Sequence, residues 1–123
     1  MAKNPVVWFE IYVQDMERAK RFYESVLLVS LVPLESPGME YWAFPMQEEG
    51  AGASGALVRM EGGPSGGNTT LVYFVCADCA VEAGRVATNG GNVFKEKFAI
   101  GPYGFIALVQ DTEGNMIGLH SLA

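Results

Sequence analysis

Few residues in this chain are equipped for acid–base, metal or redox chemistry. It holds one histidine, His120, and two cysteines, Cys76 and Cys79. Glu10 is the carboxylate in the most informative setting, because it stands between Trp8 and Tyr12 in the run Val6 to Val13. A glutamate buried in an aromatic wall has a raised pKa and can act as a general base. It can equally pair with an arginine. His120 reads as an ordinary strand histidine, a metal ligand or a hydrogen-bonding partner. A Glu and one His make two protein ligands, fewer than the roughly three that hold a catalytic metal. No residue is therefore assigned to a metal. Cys76 and Cys79 form a single C-x2-C. A structural zinc site needs a second pair or histidines, and both are missing. No basic neighbour lowers a thiol pKa, so the pair reads as two reduced cysteines, at least one of them in the core. Phosphate-binding, dinucleotide and serine-nucleophile motifs are absent.

The elements that must position these residues look like one unit written twice. Val6 to Val13 alternates, with Val7, Phe9, Ile11 and Val13 on one face and Trp8, Glu10 and Tyr12 on the other. The aliphatic face should meet a helix, and the aromatic, acidic face suits a pocket wall. Asp15 is a good N-cap for a helix over Met16 to Leu28, whose apolar face is Ala19, Phe22, Tyr23, Val26 and Leu27. Arg18, Lys20, Arg21 and Glu24 form its solvated side. Strands follow near Val29–Leu34, Glu40–Met46 and Ala53–Glu61. Gly62 to Asn68 is linker-like. The second copy begins with a strand over Thr69–Cys76, then a helix capped by Asp78 that ends at Gly90-Gly91. Strands at Asn92–Phe98, Phe105–Gln110 and Met116–Leu122 complete it. The order is βαβββ, linker, βαβββ. The expected fold is α+β, with two half-units (residues 1–61 and 69–123, linker 62–68) placing their sheets edge to edge as a curved cup with helices outside.

Length and composition fit one domain. The 123 residues are half apolar, enough for a single core. No apolar run reaches the ~20 residues of a membrane span, and the start carries no signal-peptide pattern, so the expected location is the cytoplasm. The net charge is −6, with scattered Lys and Arg. Nucleic acid and membranes are poor candidate partners; a neutral or cationic small molecule suits the chain better. Aromatic residues from the strands and loops (Trp8, Tyr12, Tyr41, Trp42, Phe44, Phe98, Tyr103, Phe105) can line its pocket. Tyr103, in the Gly-Pro-Tyr-Gly loop 101–104, is placed to close over the mouth.

The stretch Phe9 to Tyr23 resembles the opening of vicinal oxygen chelate proteins, the superfamily of glyoxalase I, the bleomycin-resistance proteins and the extradiol dioxygenases. Gly90 to Val93, Gly101 to Phe105 and Asp111 to Leu119 are similar to its second half. The small bacterial proteins related to lactoylglutathione lyase look most alike. The resemblance implies a divalent metal in the cup held by His and Glu from both halves. The corresponding positions here are Trp8, Gly55 or Ala56, Leu71 and Gly118, none with a donor side chain. Glu10 and His120 each lie two residues further along matching strands, so a relocated site would use them. The expected function is a glyoxalase-like protein that binds a small organic molecule, and whether it is an enzyme stays open. In a lyase or isomerase step Glu10 and His120 are the catalytic residues. The ligand-binding set is Trp8, Tyr12, Trp42, Phe44, Leu71, Tyr103 and Phe105. The alternative is metal-free sequestration of the bleomycin-resistance type. A homodimer is expected.

Overall fold

The computed structural model describes residues 4–47, 49, 52–66 and 70–123. It divides into two units. One is Trp8–Thr70; the other joins the N-terminal stretch up to Val7 to Leu71–Ala123. The N-terminal residues thus group with the second half of the sequence, and the Val75 N–H donates to the Pro5 carbonyl at 2.8 Å. Of the expected linker and fifth strand, Gly67, Asn68 and Thr69 lie outside the described residues.

Each unit is βαβββ, so the mixed α+β class holds. In the first, β1 (Val6–Tyr12), α1 (Met16–Leu27), β2 (Val32–Leu34), β3 (Met39–Ala43) and β4 (Ser54–Met60) give the strand order β2-β3-β4-β1. β4 runs parallel to β1, and the other pairs are antiparallel. In the second, β5 (Thr70–Val75), α2 (Cys79–Gly84), β6 (Asn92–Ala99), β7 (Phe105–Gln110) and β8 (Met116–Ser121) give β5-β8-β7-β6. β8 runs parallel to β5. Both helices start on an aspartate in extended conformation. Asp15 Oδ1 accepts the Arg18 N–H at 3.1 Å, and Asp78 Oδ1 accepts the Ala80 N–H at 3.0 Å. Each bond satisfies one of the donors that a helix start leaves orphaned.

The first core lies between α1 and one sheet face. Met16, Leu31, Phe44 and Leu57 are buried there, with Phe9, Ile11, Val13, Ala19, Tyr23 and Trp42 packed on them. The aliphatic face of β1 meets the helix, as its alternation predicts. The helix itself is turned from the expected phase: Phe22, Val26 and Leu27 are 59%, 61% and 54% exposed. The inward stripe runs Met16, Ala19, Lys20, Tyr23. Lys20 belongs to it because its ammonium sits 3.3 Å from the centroid of the Trp42 ring and its side chain is only 15% exposed. A reading that sorts by residue polarity assigns such a lysine to solvent.

The second core joins Cys76, Cys79, Ala83, Ala107, Val109 and Leu119. Here α2 is much shorter than the expected run to Gly90. It stops at Gly84, and a 3-10 turn, Ala87–Asn89, carries the chain on. Gly84, then the β-branched Val86 and Thr88, disfavour continuation. The Thr88 hydroxyl and the Asn89 amide both donate to the Arg85 carbonyl (3.2 and 2.7 Å), replacing helix bonds with side-chain ones.

Leu28 ends α1 at φ +55 and is 87% exposed. A side chain costs about 1–2 kcal/mol in that left-handed conformation. Leu28→Gly is expected to raise stability by roughly 0.5–1 kcal/mol, measured by urea denaturation, since relief of the Cβ clash outweighs the added chain entropy. Both cysteines are free and buried. Burial, then Glu82 and Cys79, push the Cys76 thiol up to about 11. Near pH 8 a disulfide-exchange reagent such as DTNB should therefore leave both thiols largely unmodified in the folded protein and titrate two after unfolding.

Candidate functional site

The face of the first sheet away from α1 is built by alternation. Phe9 and Ile11 point to the helix, so Trp8, Glu10 and Tyr12 point away from it. The Glu10 side chain is 4% exposed in the middle of β1. A carboxylate held there needs donors. The Trp8 indole N–H donates to Oε2 at 3.2 Å and the Tyr12 hydroxyl to Oε1 at 2.8 Å. Tyr12 and Tyr41 both pair with Val58 of β4, one on either side, which brings Tyr41 into the same cross-strand row. Burial first, then the charge and hydrogen bonding of Glu10, hold both phenols far above their ordinary range. The result is a buried carboxylate ringed by three half-buried aromatic side chains. An open groove of about 570 Å³ runs along β2 and β3 from Pro33 to Trp42, and Tyr41 belongs to it as well.

Trp8 and Tyr12 therefore join Glu10 as the sequence suggests. Trp42 and Phe44 do not. They point to α1, where Trp42 is covered by Lys20 and Phe44 packs with Phe9 and Tyr23 at ring-centroid distances of 5.5 and 5.6 Å. Tyr41 takes the place expected of Trp42. The signal for it was available in the alternation of β3, which sends neighbours Tyr41 and Trp42 to opposite faces, but the phase had to come from the pairing with β4.

In the second unit Leu119 faces α2, and so does Ser121, whose Oγ accepts the Cys79 N–H at 3.0 Å. His120 between them faces the other way. Its Nε2 lies 2.6 Å from the Tyr103 carbonyl, so the candidate histidine and the candidate loop residue do meet. Leu71 is buried on this same face, two residues before Tyr73. Phe105 is not on it: it packs against the α2 core with the Lys97 ammonium 4.6 Å from its ring centroid. Lys97 also bonds Asp78 at 2.8 Å, which holds that capping carboxylate below its usual range.

The positions that the resemblance gives to a metal do not fit one. The Trp8 indole is a donor, already bonded to Glu10. On the fourth strand Gly55 shares the helix-facing side with its partner Phe9, so Ala56, the fully buried partner of Glu10, is the residue on the acidic face. Leu71 has no donor atom. At Gly118 the ring of Tyr73 lies against the backbone, and a Cβ there would collide with it. Among the described residues no three His, Cys, Asp or Glu side chains come together as a metal site.

The phenol geometry carries a pH prediction. Tyr12 and Tyr41 bind their protons more tightly folded than unfolded, so their contribution to stability is present below about pH 10 and is lost as pH rises above it. Ultraviolet titration should show at least these two tyrosines failing to ionise in the ordinary range while the fold persists. In Glu10→Gln both should titrate at lower pH than in the parent.

A family model for the bleomycin resistance protein-like N-terminal segment matches residues 6–27, the span of β1 and α1. No curated protein matches the chain in sequence. Solved structures match it over nearly its whole length. Methylmalonyl-CoA epimerase from Mycobacterium tuberculosis aligns with a TM-score of 0.71 at 17% identity, covering 97% of this chain and 88% of that one. A substituted Streptomyces coelicolor methylmalonyl-CoA epimerase in complex with 2-nitronate-propionyl-CoA gives 0.71 at 14%, covering 99% of both chains. A hypothetical protein from Bacillus halodurans C-125 gives 0.72 at 13%, covering 94% and 92%. At such identities the likeness is one of fold. No described helix is long and apolar enough to cross a membrane. With βαβββ repeated in each unit and a bleomycin-resistance-like opening, the chain has the fold of the vicinal oxygen chelate superfamily.

Proposed function

We propose that this protein binds a small planar organic molecule, neutral or cationic, as a metal-free binding protein of the bleomycin-resistance type. The observation that carries this reading is the buried Glu10 carboxylate under Trp8, Tyr12 and Tyr41, on the sheet face that α1 leaves alone. Aromatic faces attract a flat or cationic body, and a fixed negative charge among them favours a positive one. The chain's net charge of −6 supports the same sign of ligand. The other reading is a lyase or isomerase step at a carbonyl-bearing substrate, with Glu10 as base and His120 as partner. Glu10 spends its oxygens on Trp8 and Tyr12, which makes it a wall and acceptor group before it is a base. The exposed Phe22, Val26 and Leu27 of α1 support self-association as a homodimer.

Isothermal calorimetry tests this with bleomycin and with proflavine, a flat aromatic cation. Binding of at least one is expected, weakened roughly 10–100-fold in Glu10→Gln by loss of a charged hydrogen-bonded group. Absence of heat with both, or an unchanged Kd in Glu10→Gln, would remove the reading.

A further inference from the structure

We propose that His120 is a recognition group of the second unit in its own right, a hydrogen-bond acceptor whose Nδ1 takes an O–H or N–H from a small molecule bound there, and that the Tyr103 loop holds it in that state. This rests on the reading above only in taking the ligand to be a small organic molecule.

The argument starts from one bond. Nε2 of His120 lies 2.6 Å from the Tyr103 carbonyl. A carbonyl only accepts, so Nε2 carries a proton, and in the neutral ring Nδ1 is then a lone-pair acceptor. Among the described residues no donor is bonded to Nδ1. The ring stands on the face away from α2, between Val75 of β5 and Ile106 of β7, with Gly118 and the covering Tyr73 next along the sheet.

The loop that supplies the carbonyl is clamped at its far side. Gly104 has φ +98 and lies so close to the Ser121 carbonyl that a Cβ would collide with it. The Ile100 N–H closes the loop on the Gly104 carbonyl at 2.9 Å. Tyr103 between them is 46% exposed, its ring free to meet a ligand while its carbonyl orients His120. The ligand class that fits is a neutral alcohol or amide on an apolar body. An ether of the same shape has nothing to offer Nδ1.

The only histidine in the chain is His120, so long-range proton–nitrogen NMR of the whole protein reports one imidazole. At pH 8 the spectrum should show the Nε2–H tautomer. Benzyl alcohol at millimolar concentration should shift the Nδ1 resonance, and benzyl methyl ether should leave it in place. An Nδ1–H tautomer, or equal response to both probes, overturns the proposal. The Trp8 indole N–H reports the first unit separately. If Nδ1 does not move, this inference fails, whether or not the indole responds; the binding reading is decided separately by the calorimetry with bleomycin and proflavine. For the latch, His120→Leu should speed exchange of the Ile100 amide roughly fivefold, and His120→Gln, which keeps a donor of similar reach, should restore it. Equal exchange in the two variants rules the latch out.

Discussion

Burying a carboxylate in the middle of a strand is the constraint from which the first unit follows. An isolated ionised group in an apolar interior is several kcal/mol too expensive to persist, so Glu10 exists at 4% exposure only because donors reach it. Two of those donors come from the same strand at i−2 and i+2, where alternation must place them on the same face. Once Trp8 and Tyr12 are committed to the acid, Phe9 and Ile11 are committed to α1. The phase of β1 is thereby fixed, and a one-residue slip would turn Phe9 and Ile11 away from α1 and drive the Glu10 carboxylate into the helix-side core. Tyr41 then arrives through register: Val58 stands between it and Tyr12 in adjacent strands.

Both units solve the same helix-on-sheet problem with different materials. In each, an aspartate stops the strand's extended backbone and starts the helix. The first fills the interface with large side chains, Met16, Tyr23, Phe44 and Leu57. The second uses small ones, Cys76, Cys79, Ala83 and Ala107. Small residues let α2 sit close, and they let the sheet reach into the helix start, where Ser121 satisfies the Cys79 N–H. A one-and-a-half-turn helix is marginal alone, so these contacts rather than propensity hold α2.

How legible this was in the sequence depends on what sets each feature. The eight strands and both caps were readable because alternation and Asp at a strand–helix junction are local signals. Trp42, Phe44 and Phe105, expected as pocket-lining aromatics, pack on the helix sides of their sheets for a different reason. Aromatic content marks a strand as half-buried but does not say which half, and the phase of β3 and β7 comes from pairing with β4 and β8. Lys20 reads as solvated by polarity alone, which does not register an ammonium seated on the Trp42 ring. The early stop of α2 depends on side chains of Thr88 and Asn89 competing for one carbonyl, a balance that a pattern of apolar residues does not register. Tyr103 meeting His120 is a contact across a loop, and no period encodes it.

Glycines stand at two of the positions expected for a metal. Gly55 pairs with Phe9 across β4 and β1, and Gly118 pairs with Tyr73 across β8 and β5, the equivalent parallel pairs of the two units. In both, the aromatic ring occupies the space a Cβ would need. An aromatic laid on a glycine in a neighbouring strand recovers the packing that the glycine gives up. The faces differ, however. Phe9 and Gly55 belong to the helix-side core, whereas Tyr73 and Gly118 lie on the face away from α2. The same device therefore serves stability in one unit and fills a potential ligand position in the other. A donor side chain introduced at residue 118 would have to displace the ring of Tyr73, which is only 6% exposed, so building a metal site there demands repacking as well as a single substitution. At residue 118 the ring of Tyr73 takes the space that a side chain would need.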